Sequence, residues 1–70
     1  MVVRSMRYRD VMRALLDHDC MHKSTKGSHE KWLCPCGSHI AIVPNHKVVS
    51  PGVVGDVIKK FACLPRGWLQ

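Results

Sequence analysis

The sequence predicts a two-layer α+β domain, with two helices covering one face of a three-stranded antiparallel meander in the order α-β-β-β-α. Three observations predict it. Apolar residues recur at helical spacing near both ends of the chain, at Val11, Met12, Leu15 and Leu16 and again at Val54, Val57, Ile58 and Phe61. Between them, His29 to Cys34 alternates in character and Ile40 to Val43 is continuously apolar. Gly27-Ser28 and Pro35-Cys36-Gly37-Ser38 supply the turns. With 70 residues there is room for one domain, its core at about 8–62 and a short tail after it.

The first helix is expected from Arg9 to about His18, with Tyr8 one turn ahead of its apolar stripe and Asp10 in the first turn, where the helix dipole favours an anion. It ends on Asp17-His18-Asp19 without a glycine. Cys20 to Lys26 is the weakest strand, since Met21 to Thr25 is not strongly β-forming. In the second strand Glu30, Trp32 and Cys34 share one face, and His29, Lys31 and Leu33 the other. This places Trp32 in the core. The third strand, His39 to Val43, reads as central or well covered because it is apolar throughout. Pro44 to Lys47 is a loop. Ser50 caps the second helix and Pro51 starts it. Lys59 and Lys60 lie at its C-terminal end, Pro65 blocks any continuation, and Trp68 sits in the tail.

Eleven Lys and Arg oppose five Asp and Glu, a formal net charge of +6. Such a chain attracts polyanions: nucleic acid, an anionic membrane surface or an acidic protein. Arg4, Arg7, Arg9 and Arg13, with Lys23, Lys26 and Lys31, are candidates for a basic patch. No run is long enough to span a membrane and Met1 to Arg4 opens no signal peptide, so a cytoplasmic protein with reduced thiols and no membrane partner is expected.

The stretch that organises the rest is Lys26-Gly27-Ser28-His29, which sets an imidazole where a turn becomes a strand. With Tyr8-Arg9-Asp10-Val11-Met12-Arg13-Ala14-Leu15-Leu16 before it, Trp32 after it, then Val43-Pro44-Asn45-His46, Val49-Ser50-Pro51-Gly52 and Val57-Ile58-Lys59-Lys60, the chain resembles the HicA-type toxins, mRNA interferases of bacterial toxin–antitoxin pairs. The likeness runs from about Tyr8 to Phe61. It implies a double-stranded-RNA-binding-like fold and metal-independent cleavage of mRNA by the motif histidine, here His29. It also implies a HicB-type antitoxin as partner, with DNA reached only through the antitoxin complex. The chain departs from the family at Asp19, where a glycine is usual, and in the Cys34-Pro35-Cys36-Gly37 turn.

RNA carries its own nucleophile, the 2′-hydroxyl. Histidine suits the proton transfers that cleavage needs, and Lys26 and Lys31 are placed to offset charge on phosphorus. Gly27 shapes the turn and Ser28 positions its backbone. His46 is the candidate for a second proton-transfer group or an orienting hydrogen bond, and Lys47 for contact with RNA or antitoxin. His18, His22 and His39 read as ordinary surface residues. No cofactor and no metal are expected. Cys34-Pro35-Cys36-Gly37 resembles a zinc knuckle with His39 as third ligand, but its cysteines are one residue too close and Cys20 and Cys63 stand alone. A non-catalytic RNA- or partner-binding module of the same fold is the alternative.

Overall fold

The computed structural model describes residues 3–65 and 67–70. Met1, Val2 and Arg66, the first residue of the expected tail, lie outside them. The elements are β1 (Met6–Arg7), α1 (Tyr8–Asp17), β2 (Met21–Lys26), β3 (His29–Leu33), β4 (Ile40–Pro44), β5 (Val48–Val49) and α2 (Pro51–Lys60). The predicted α-β-β-β-α order is present, with a three-stranded antiparallel sheet in the order β2-β3-β4. The additions are β1 and β5, which pair with Met6 opposite Val49 and Arg7 opposite Val48. Two residues are too few to show a strand period, so sequence patterning leaves both as lead-in and loop.

The central strand is β3. The apolar β4, expected to be central or well covered, is an edge strand. Its Ala41 and Val43 are fully buried, while Ile40 and Ile42 are 45% and 37% exposed. A continuous apolar run suggests burial on both faces, but here α2 packs across one face of β4 and the other face is open. In β2 every residue is exposed, and a bulge interrupts its pairing with β3 between His22 and Ser24.

Helix α1 buries Val11 and Leu15, with Met12 and Ala14 partly covered. Leu16, which the pattern assigns to the same stripe, is 62% exposed. Adjacent helical residues differ by about 100° around the axis, so one of each neighbouring pair falls at the stripe's edge. The helix closes in a Schellman turn. Cys20 N–H donates to Leu15 C=O at 2.9 Å and Asp19 N–H to Leu16 C=O at 3.1 Å, with Asp19 at φ +62°. Asp19 therefore takes the left-handed position that glycine fills without penalty.

Helix α2 begins as predicted: Ser50 Oγ accepts from Val53 N–H at 3.4 Å and Pro51 is the first helical residue. Val54, Val57 and Phe61 are buried and Ile58 is partly covered. The C-terminal segment folds back and buries Trp68 and Leu69. Trp68 stacks on Phe61 with ring centroids 6.0 Å apart, and the His18 ring meets its edge at 5.6 Å. Gln70 Nε2 donates to Arg4 C=O, and Arg4 N–H donates back to Gln70 Oε1.

Relieving the left-handed strain at Asp19 is expected to stabilise the fold. Asp19→Gly raises the unfolding free energy by about 0.5–1 kcal/mol and Asp19→Ala lowers it. The measurement is the urea midpoint at unchanged slope.

Candidate active site

Gly27 and Ser28 join β2 to β3 in a two-residue turn, with Lys26 opposite His29. Gly27 is at φ +62°, whereas Ser28 is not in the left-handed region. That combination is the signature of a type II′ hairpin turn, which matches strand twist and takes glycine first. A Cβ at Gly27 would meet no atom within 4 Å, so backbone handedness and not space demands the glycine.

The turn delivers His29 to the first position of β3, on the sheet face that no helix covers. Glu30 and Trp32 are buried on the helix side, while His29 and Lys31 are exposed. Directly paired residues share a face. Lys26 and Pro44 therefore flank His29 across the sheet, and Ser24 and Ile42 flank Lys31. The result is a cationic corner around an imidazole, bordered along the sheet by the exposed apolar residues Ile40, Ile42 and Met21.

The β4–β5 loop closes on the same corner. Asn45 N–H donates to Ser28 C=O at 2.5 Å, and His46 N–H donates to Pro44 C=O at 2.9 Å. Tyr8 N–H, at the start of α1, donates to Lys47 C=O at 3.0 Å. Lys47 then lines a groove with Arg7, Tyr8, Arg9 and Val48. Lys26, Gly27, His29 and Lys31 are exposed around the turn, and the exposed His46 and Lys47 follow Asn45, whose N–H pins their loop to Ser28. Of the arginines expected in a wider patch, Arg7 and Arg9 line the groove with Lys47, Arg9 and Arg13 line a second one with Asp10, and the Arg4 main chain is held by the Gln70 side chain.

The family described as HicA toxin of bacterial toxin–antitoxin matches residues 8–61 of this chain. The chain belongs to the HicA toxin family. It is thus a toxin of a toxin–antitoxin system, and an antitoxin partner goes with that membership. No curated protein and no solved structure matches it. The match starts at the first residue of α1 and ends at the residue that caps α2, so the turn, His29 and the 45–47 loop all lie within it. Met6, Cys63 and Trp68 lie beyond it. Among the described residues no helix is long and apolar enough to cross a membrane.

Beneath the site of this HicA-family toxin lies a group that sequence reasoning missed. Glu30 is only 7% exposed. Its carboxylate accepts from Tyr8 Oη at 2.5 Å and from Trp32 Nε1 at 3.3 Å. Burial, reinforced by the hydrogen bond to Glu30 and its negative charge, pushes the Tyr8 phenol up to about 12. The signal was present: strand alternation sets Glu30 beside Trp32, and helical spacing sets Tyr8 on the core side of α1. A buried carboxylate needs such donors.

The remaining histidines separate. His18 packs on Trp68, and His22 bonds Thr25 Oγ1 at 2.7 Å and lies edge-on to Trp32. His39 is not an ordinary surface residue, because it joins Cys34, Cys36 and Cys63 in one cluster of donor atoms within 4.8 Å of each other. Cys63 lies beyond α2 and is exposed. Folding thus brings in a thiol that stands alone in the sequence.

Tyr8 is the only tyrosine in the sequence, so tyrosinate absorbance reports on it alone. The titration midpoint is expected near 12 in the folded protein against 10.0 in denaturant. Because the folded value lies above the unfolded one, this contribution to stability is complete below pH 10.0 and is lost as pH rises towards 12. Tyr8→Phe removes that pH dependence and costs about 2 kcal/mol at neutral pH, measured by urea unfolding.

Proposed function

We propose that this HicA-family toxin is a metal-independent endoribonuclease that cleaves mRNA by proton transfer at His29, and that a HicB-type antitoxin silences it by covering the same sheet face. The observation that supports this best is the position of His29: exposed at the start of the central strand, beside Lys26 and two residues from Lys31, on the face no helix covers. In the proposed reaction His29 takes the proton from the 2′-hydroxyl or gives one to the departing 5′-oxygen. The 2′-oxygen bonds to phosphorus and the bond from phosphorus to the 5′-oxygen breaks, which leaves a 2′,3′-cyclic phosphate and a 5′-hydroxyl. Lys26 and Lys31 offset the charge that accumulates on the phosphoryl oxygens. His46, on the loop held to Ser28, is the proposed second proton-transfer group, and Lys47 contacts the RNA backbone or the antitoxin. The double-stranded-RNA-binding-like fold belongs to the same proposal, with the open sheet face as the RNA surface.

The exposed apolar residues beside the cationic corner favour a protein partner on that face. Met21, Ile40 and Ile42 are more exposed than solvent alone would favour, and an acidic antitoxin with an apolar centre would cover them and neutralise Lys26 and Lys31 together. Any contact with DNA would come through that partner. Translation and growth would stop while the antitoxin is absent.

The test is cleavage of a defined mRNA without added divalent metal, with circular dichroism confirming that each sample is folded. His29→Ala should slow cleavage by about 10²–10⁴-fold and restore growth to cells that express the toxin alone. The wild-type rate should be bell-shaped in pH, and a 2′-deoxy nucleotide at the cut site should block cleavage while binding persists. Cleavage by folded His29→Ala at the wild-type rate would refute the assignment. A folded wild-type protein that binds RNA and never cuts it would leave the binding-module alternative.

A further inference from the structure

The β3–β4 turn runs Cys34-Pro35-Cys36-Gly37-Ser38-His39. Cys34 N–H donates to His39 C=O and Gly37 N–H to Cys34 C=O, both at 2.9 Å, with Gly37 at φ +79°. This tight loop aims two sulfurs and one imidazole in a single direction. The turn that follows α2 approaches from the other side. It is closed by Leu64 N–H on Phe61 C=O at 3.0 Å, and it carries Cys63. His39 Nδ1 lies 3.1 Å from Cys36 Sγ and 3.4 Å from Cys34 Sγ, and Cys63 Sγ lies 3.1 Å from Cys34 Sγ. Cys34 and Cys36 place their sulfurs in contact.

We infer that Cys34, Cys36, His39 and Cys63 form a structural zinc site that ties the β3–β4 turn to the end of α2. Three thiolates and an imidazole are a soft donor set that selects a tetrahedral zinc ion, and four protein ligands leave no open position for chemistry. Around such an ion, neighbouring donors stand about 3.5–3.8 Å apart. Opening the present cluster to that spacing needs rotations of Cys36, His39 and Cys63, all of which are exposed. The argument against zinc from the isolation of Cys63 loses its force here. A Cys-x-Cys pair lacks a second half in the sequence, and the fold supplies one from a residue 29 positions away.

A Cys34–Cys36 disulfide is the competing use of the same sulfurs. It would close a loop with one intervening residue, too small to restrict the unfolded chain much, and it would leave His39 and Cys63 without a role. A metal engages all four donors and links two segments distant in sequence. Zinc binding releases the thiol protons to solvent and changes no oxidation state. The site is remote from the catalytic corner. His29 and Cys34 are five residues apart along an extended strand, about 16 Å, so the metal holds the far end of the sheet and takes no part in proton transfer.

The full chain, purified under reducing conditions, is expected to retain a stoichiometric amount of zinc and, after exchange into cobalt alone, to show the thiolate-to-cobalt charge-transfer and ligand-field bands of a tetrahedral site. Cys63→Ser and His39→Ala should each weaken zinc binding by at least about tenfold in a competition titration with a chromogenic chelator. The wild-type cobalt spectrum decides the matter even where a variant fails to fold. Reduced, folded protein that takes up neither ion, or cobalt bands typical of an oxygen-ligated octahedral site, would overturn the inference. Neither readout uses RNA cleavage, so a negative result here leaves the ribonuclease proposal standing, and an inactive protein could still bind zinc.

Discussion

One register governs this molecule. Along β3 the side chains alternate, with Glu30, Trp32 and then Cys34 turned to the helices and His29, Lys31 and Leu33 turned away. A slip of a single residue would exchange the two sets. It would drive an imidazole and an ammonium group into the core and expose an indole. Core and candidate site are therefore two sides of one specification, and the type II′ turn at Gly27 and Ser28 sets it at the strand's first residue. The pairing of His29 with both Lys26 and Pro44 then fixes what surrounds the imidazole.

The buried carboxylate of Glu30 secures the helix layer against that strand. Its hydrogen bond to Tyr8 joins the first residue of α1 to the residue next to His29, and its second acceptor oxygen takes the Trp32 indole. Tyr8 also donates its backbone N–H to Lys47. A single residue at the start of α1 thus touches both the support beneath the site and the loop at its border. Burying an acid is costly unless donors converge on it, so this contact orients the helix more sharply than apolar packing alone would.

Much of this was readable from residue order. The alternation around Trp32 identified the second strand and its faces, Ser50-Pro51 marked the start of α2, and Lys26-Gly27-Ser28-His29 marked the turn that sets the candidate histidine at the head of that strand. The failures have common physical causes. The apolar run of β4 was read as burial on both sides, because composition cannot say how many layers a sheet has. Leu16 shares its neighbour's chemistry but points elsewhere, since the stripe is narrower than the apolar pattern. Met6 and Val49 pair across more than forty intervening residues, and no local period encodes such a contact. Cys63 belongs to the same class. Its distance from Cys34 in the chain hid a proximity that only the packed turn after α2 creates.

The bulge between His22 and Ser24 has a further effect on behaviour in a crowded solution. An edge strand whose six residues are all exposed is an open template for a strand of another molecule. Here the ladder is broken partway along, which bends the strand and spoils its regular row of free N–H and C=O groups. Lys23 and Lys26 add charge to the same rim. The free side of β2 is thereby guarded against edge-to-edge aggregation, and the open sheet face is kept clear of a strand beside it that could seed polymers.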